Sequence, residues 1–371
     1  MRPRVLMVAR TRYQLPLSPS LARKFDALER RFDLRVLGSA ADGSAAEHPT
    51  FRLAPRLPKL DGPAFWAALP FRVARELRRF RPQVVIVQGP YEGAAVLAAR
   101  ALARVRAPLV VELHGDWRTF PRLYGSRLRT PLAPVTDRLA PWVLRRAEAV
   151  KTLSEFTSAI ARDVGVEPAA EFTAFADLAA FTERPPARLP DEPSALFVGV
   201  LERYKNIDGV AAAWRLAAPR VPHARLRLVG RGSRPEIVEA LVTDLPEQTS
   251  WESALSTAEI VRALDESWSL LLPSRSEGTP RIVLEAMCRG RAVVGSRAGG
   301  IPDVIDDGVN GILVDSEDHA AIADALVRVL SDREHAERLG AAAHERSQQW
   351  LFSPEEYAAR IADVVERVAL P

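Results

Sequence analysis

Short apolar runs of strand length alternate with longer helical patterns along almost the whole chain, and this pattern belongs to a doubly wound parallel sheet. In the first half the strand runs are 4–9, 33–38, 83–88 (QVVIVQ), 108–113 (PLVVEL) and 148–153 (EAVKTL), with helical patterns at 18–31, 62–80, 91–106, 131–146 and 154–163. Pro185, Pro186, Pro190 and Pro193 then form a stiff linker. The alternation resumes with strands at 195–200, 225–230, 268–273, 292–296 and 311–314, followed by Ala-rich helices at 317–331 and 332–348. A last helix, 353–369, is opened by Ser353-Pro354-Glu355-Glu356. At 371 residues the chain is comfortable for two domains. The expected fold class is α/β: an N-terminal Rossmann-like domain over 1–188 and a C-terminal one over 189–352.

Composition narrows the function classes. No apolar run approaches the roughly eighteen residues that span a bilayer, and Val5 to Ala9 runs into Arg10 and Arg12, so it reads as a first strand and not as a signal peptide. Cys288 is the only cysteine, which excludes an internal disulfide and a thiolate metal site and fits a reducing cytoplasm. The net charge of +4 hides a division: residues 1–188 carry +13 and the remainder −9. Such polarity implies an anionic partner for the N-terminal half. No nucleic-acid partner is expected.

The densest chemistry lies at 268–287. Trp268 to Pro273 (WSLLLP) reads as a buried strand, and Ser274 to Pro280 (SRSEGTP) turns into a helix. Thr279 suits the N-cap and Pro280 the first helical position. Glu277 then lies in the loop and Glu285 about a turn and a half into the helix. A strand, a small-residue turn and a new helix N-terminus favour an anion, while carboxylates accept sugar or ribose hydroxyls. Together they describe a nucleotide sugar. Spacing alone equally describes a solvated loop acid, a capped helix and a second acid facing water.

This stretch resembles the signature of glycosyltransferase family 4, the glycosyl transferases group 1, through Glu277 and Glu285 (Glu-x7-Glu), Gly290 to Gly295 (GRAVVG) and Gly299 to Gly311 (GGIPDVIDDGVNG). Members are retaining enzymes of the GT-B fold, two Rossmann-like domains facing across a cleft. The resemblance implies that Glu277 contacts the donor sugar, with the backbone of Gly278, Thr279 and Arg281 nearby and Pro280 lacking an N–H, and that Glu285 binds the ribose hydroxyls. It makes His114, at the end of 108–113, a donor-sugar ligand, while Asp116 suits a turn. Lys205 matches the lysine that meets the donor diphosphate. The companion arginine of the family is replaced by Val200, with Arg203 as a substitute. Glu277, His114 and Lys205 are thus the expected catalytic residues, and Glu285, Arg203, Gly278, Thr279, Pro280 and Arg281 the expected substrate-binding ones.

Elsewhere the chain departs from the family or serves structure. The segment Thr11 to Ser20 has no glycine pair, so acceptor recognition does not carry over. Ser154 reads as a helix cap. Gly230-Arg231-Gly232-Ser233 lacks the third glycine of a dinucleotide loop and reads either as a close approach to the nucleotide base or as a turn.

The implied activity is transfer of a sugar from a nucleotide-diphosphate sugar to an acceptor hydroxyl, with the nucleotide sugar as co-substrate, no cofactor and no catalytic metal. A sugar-nucleotide epimerase or phosphorylase-like enzyme of the same fold, and a non-catalytic two-domain sugar-binding protein, are the alternatives. GT-B precedent also predicts that 353–371 packs back on the N-terminal domain. Within 62–82, Phe65, Trp66, Leu69 and Phe71 precede Arg72, Arg75, Arg78, Arg79 and Arg81. That pattern fits either an interfacial helix meeting an anionic membrane, with a lipid-linked acceptor and a peripheral inner-face location, or a crossover helix burying one face on its sheet.

Overall fold

The computed structural model describes residues 2–41, 48–55, 61–123, 131 and 133–369. These form two compact units, one of Met1–Arg118, Leu132–Asp177 and Phe352–Pro371, the other of Thr119–Pro131 and Leu178–Leu351. The border between them falls at Asp177 and Leu178, before the proline run and not at 188. The reason is a pair of buried arginines. Arg289 donates to the carbonyls of Phe181, Arg184 and Pro185, and Arg291 to that of Ala187. The stretch 178–188 is therefore docked on the second unit, its carbonyls occupied, and is not a free spacer.

The first unit holds β1 (Arg4–Tyr13), β2 (Asp33–Ala40), β3 (Phe51–Ala54), β4 (Val84–Val87), β5 (Leu109–Leu113), β6 (Ala149–Thr152) and β7 (Ala170–Glu171). All are parallel, in the order β3-β2-β1-β4-β5-β6-β7. β1 continues through Thr11 and Tyr13 after a register shift, so the expected first loop begins as strand. The central strands are buried on both faces, which is why they read as Val/Ile/Leu-rich runs, with Glu112 the one charged residue of β5. Helix Pro354–Ala369 lies against helix Pro19–Arg31 and buries Tyr357, Ile361, Val364 and Val365 in the first unit's core, as expected for 353–369. Two short strands, β3 and β7, carry no strong sequence signal, being edge strands of only four and two residues, each containing a charged residue.

The second unit holds β8 (Ser194–Val198), β9 (Arg225–Val229), β10 (Thr249–Glu252), β11 (Ser269–Leu272), β12 (Ala292–Ser296) and β13 (Ile312–Val314). They are again all parallel, in the order β10-β9-β8-β11-β12-β13. The edge strand β10 was not expected, its Thr-Ser-Trp-Glu being too polar to stand out. In each sheet the strand order reverses once, between β1 and β4 and between β8 and β11. Chains leaving two such neighbours turn to opposite sides and open a crevice at the carboxyl ends.

Candidate active site

At the reversal in the second unit, the loop after β8 meets the loop after β11. Lys205 Nζ is 2.5 Å from Glu277 Oε1, and Ser274 Oγ donates to the same oxygen at 2.9 Å. Oε2 of Glu277 has no partner among the described residues. The pair is largely shielded, with 13% of the Lys205 side chain and 11% of the Glu277 side chain exposed. Sequence reading gave the two residues separate duties, whereas the structure makes them one ion pair.

Several residues that sequence reading passed over hold these loops in place. Asn206 is fully buried in a left-handed conformation and caps helix Ile207–Ala217 by accepting from the Gly209 N–H. Its amide donates to the carbonyls of Pro273 and Ser316, tying the β8, β11 and β13 loops together. Arg275 grips Asp208 with both terminal nitrogens at 2.9 and 3.0 Å, donates to the Arg203 carbonyl and reaches Glu317. An Asn three residues before a Gly at a helix start is a legible cap; the partners of Arg275 are not legible locally.

Helix Arg281–Cys288 begins one residue later than expected, with Pro280 and not Thr279 at the N-cap. Pro280 is extended, its φ of −76° and ψ of 102° lying outside the helical region. The displaced Thr279 hydroxyl is buried without a hydrogen-bond partner, and the N–H groups of Gly278 and Thr279 make no bond among the described residues. Donors thus accumulate beside Glu277. Glu285 is 7% exposed, and Arg281 Nε donates to it at 2.6 Å across one helical turn. Burial raises the Glu285 carboxyl, against the opposing charge and hydrogen bond of Arg281.

The glycine segments brace the same site from behind. Gly299 has φ +61°, and a Cβ there would lie 2.1 Å from the Glu277 carbonyl; Gly300 N donates to that carbonyl at 3.2 Å. Gly230, at φ +151°, lies against the β8 loop, where a Cβ would come within 1.8 Å of Gly199 O. Its loop runs parallel to 199–201, with Leu201 N donating to Arg231 O at 2.9 Å and Leu201 bridged to Gly232. The close approach expected of these glycines is therefore to backbone. Arg203 directs its guanidinium to the Arg122 carbonyl at 3.4 Å, and Val200 is 42% exposed.

In the first unit, His114 follows β5, and its Nε2 is 3.3 Å from Glu112 Oε2. Burial alone would raise the Glu112 carboxyl, but Lys151, His114 and Lys24 overturn this and hold it well below the usual carboxylate range. An ionised carboxylate only accepts, so Nε2 carries the proton and, in the neutral ring, Nδ1 is the acceptor. Lys151, 1% exposed and 3.4 Å from Glu112, is itself lowered by burial against the pull of that carboxylate. Asp116 accepts from the Arg118 N–H at 2.9 Å, the turn role expected of it. At this unit's strand reversal Thr11 Oγ1 donates to Gln88 Oε1 at 2.8 Å, a polar pair that sequence reading missed.

Helix Asp61–Arg79 resolves the two readings of its segment largely toward packing. Phe65 and Leu69 are buried in the core and Trp66 packs against it, leaving Phe71, 67% exposed, as the one free apolar side chain of the four. Arg78 donates to carbonyls at the end of helix Pro90–Ala103, and Arg72 to those of Gly38 and Arg52. No helix among the described residues is long and apolar enough to cross a membrane. Among those residues no three His, Cys, Asp or Glu side chains are grouped to hold a metal ion.

Comparison with known proteins adds a second line. Residues 181–346 match the family model described as glycosyl transferases group 1, and residues 18–174 that of a glycosyl transferase 4-like domain. The chain is 28% identical over 303 residues to sulfoquinovosyl transferase SQD2 of Arabidopsis thaliana, an alignment covering 76% of this chain and 56% of that protein. The chain spans about half the length of the curated relatives it matches, 56% and 55% for the first two. Among solved structures, sucrose-phosphate synthase from Thermosynechococcus elongatus superposes with a TM-score of 0.78 at 19% identity, covering 98% of both chains. HepE from Anabaena in complex with UDP and glucose superposes with 0.70 at 17% identity, over 98% of this chain and all of that one, 100%. At these identities the likeness is one of fold.

Proposed function

The chain belongs to the glycosyl transferases group 1 family and has its two-domain GT-B fold, and on that premise we propose that it transfers a sugar, with retention, from a nucleotide-diphosphate sugar to an acceptor hydroxyl. One observation carries the reading: the Lys205–Glu277 pair at the strand reversal of the second unit, beside the unbonded N–H groups of Gly278 and Thr279.

Each group has a proposed task. An ammonium has three donors, so Lys205 keeps Glu277 and adds a phosphate oxygen of the leaving diphosphate. The N–H groups of Gly278 and Thr279 and the Thr279 hydroxyl add neutral donors at the same place, which is how the reaction proceeds without a metal. Glu277 Oε2, without a partner among the described residues, accepts a hydroxyl of the donor sugar. Glu285, shielded and oriented by Arg281, accepts the ribose hydroxyls. His114, with Nε2 committed to Glu112, offers Nδ1 to a sugar hydroxyl. Retention is proposed as attack from the face the diphosphate leaves, the departing phosphate taking the acceptor's proton, with no enzyme nucleophile assigned.

The acceptor is proposed as a glycan or lipid-linked hydroxyl, reached from the cytoplasmic side, with the +13 charge of residues 1–188 and the exposed Arg75 and Arg79 favouring an anionic surface. The complex of HepE with UDP makes uridine nucleotides the first donors to test. Purified protein is incubated with uridine, guanosine and adenosine diphosphate sugars, with and without acceptors. Diphosphate release only in the presence of acceptor, with the α or β configuration of the donor kept in the product by NMR, is expected. Inversion would remove retention. Epimerised donor would replace transfer by the epimerase reading.

A further inference from the structure

The charged groups at the carboxyl edge of the second sheet are nearly all used internally. Lys205 faces Glu277, Arg275 faces Asp208 and Glu317, Arg234 faces Asp208, Arg297 faces Asp307 and Arg281 faces Glu285. A diphosphate is multiply charged, and one lysine shared with a carboxylate meets only part of that charge. The proposed reaction therefore needs a cation that the protein does not itself neutralise. Among the described residues the Arg203 guanidinium has only a carbonyl partner, at 3.4 Å. Arg231 is exposed, and its guanidinium has no hydrogen bond or ion pair among the described residues.

The position of Arg231 is fixed although its side chain is free. β8 and β9 pair with Val198 opposite Val229, and the same register holds beyond the strands, where Leu201 is opposite Gly232. Arg231 therefore stands beside Val200 on the ledge formed by 199–201 and 230–232. Its own carbonyl is fastened by the Leu201 N–H, and the ledge is tight enough that Gly230 admits no side chain. The exposed Val200 at this place carries no charge. The Gly-Arg-Gly segment thus presents one long cationic side chain from a backbone held against the β8 loop.

We propose that Arg231 binds the diphosphate of the nucleotide and supplies the cation that Val200 does not, an assignment that rests on the transferase reading above. A planar, always-charged guanidinium takes two phosphate oxygens at once, which a lysine at the same place does not do.

The test is titration of the full-length protein with uridine, guanosine and adenosine diphosphates, each beside its nucleoside, at two salt concentrations. Arg231→Ala is expected to weaken binding of the preferred diphosphate about tenfold or more, to leave the nucleoside's affinity unchanged and to flatten the salt dependence. Arg231→Lys should restore part of the loss. Because the side chain is exposed, the melting temperature of both variants should match the parent. Wild-type protein that binds none of the diphosphates would overturn the transferase reading and this assignment with it. Diphosphate binding that is equal in wild type and Arg231→Ala, or an equal loss for nucleoside and diphosphate, would overturn the assignment alone.

Discussion

Lys205 and Glu277 lie 72 residues apart in the chain and meet at 2.5 Å where the second sheet reverses its strand order. The contact joins an ammonium to one carboxylate oxygen only, so each partner keeps capacity for a ligand. This divides their predicted effects. Lys205→Ala should lower turnover by about 2–4 kcal/mol through the leaving diphosphate. Glu277→Ala should lower turnover at least as much as donor affinity, since it positions the reacting sugar. Because the two share one bond, the double variant should fall short of the sum by about 0.5–3 kcal/mol. Steady-state kinetics on all four proteins measures it; strict additivity would show that the pair does not act together.

Glu285 tests the other end of the donor. Glu285→Gln keeps its shape and weakens charge-assisted acceptance by about 1–2 kcal/mol, so the donor KM should rise about tenfold with kcat little changed. An unchanged KM would remove the ribose role. Arg281→Ala should produce a smaller rise, because Glu285 then keeps its place but loses the cation that opposes its burial.

Gly299→Ala probes the brace behind Glu277. The left-handed φ and the 2.1 Å approach to the Glu277 carbonyl mean that a methyl group must displace that residue. Stability should fall by about 1–2 kcal/mol, and turnover should fall by a larger factor than donor affinity. Gly308→Ala is the control: its φ is +77° but nothing lies within 4 Å of the added carbon. It should lose similar stability and retain activity, and a matching loss of activity would show that strain, not displacement of Glu277, is responsible.

The buried Glu112–Lys151 pair predicts an acid-sensitive first unit. The Glu112 carboxyl is depressed in the folded state, so its contribution is present above the ordinary value of 4.5 and is lost as pH falls from there toward the lower folded value. Glu112→Gln should cost about 3–5 kcal/mol at neutral pH by leaving Lys151 buried and unpaired, and should flatten the acid slope. Glu112→Gln combined with Lys151→Met should recover much of that loss. Urea denaturation between pH 3 and 8 reads both effects; a double variant no more stable than the single one would assign the loss to packing.

Local sequence determined the elements and their chemistry. The apolar runs located ten of the strands, from β1 to β13, because strands inside a sheet are mostly apolar, while the edge strands β3, β7 and β10 escaped because they are only two to four residues long and carry polar residues. The spacing of Glu277 and Glu285 already placed one acid in a loop and one on a helix, since that depends only on where the helix starts, and a one-residue error in the cap did not disturb it. Partnership was not legible. That Lys205 neutralises Glu277, that Arg275 is committed to Asp208, that Glu112 fixes the proton on His114 and that the proline run is held by Arg289 and Arg291 all depend on which strands are neighbours. Strand order is set by burial summed over a whole sheet. A local pattern reports whether a residue faces a core or a solvent-exposed turn, and only the closed tertiary structure decides which charge stands opposite which.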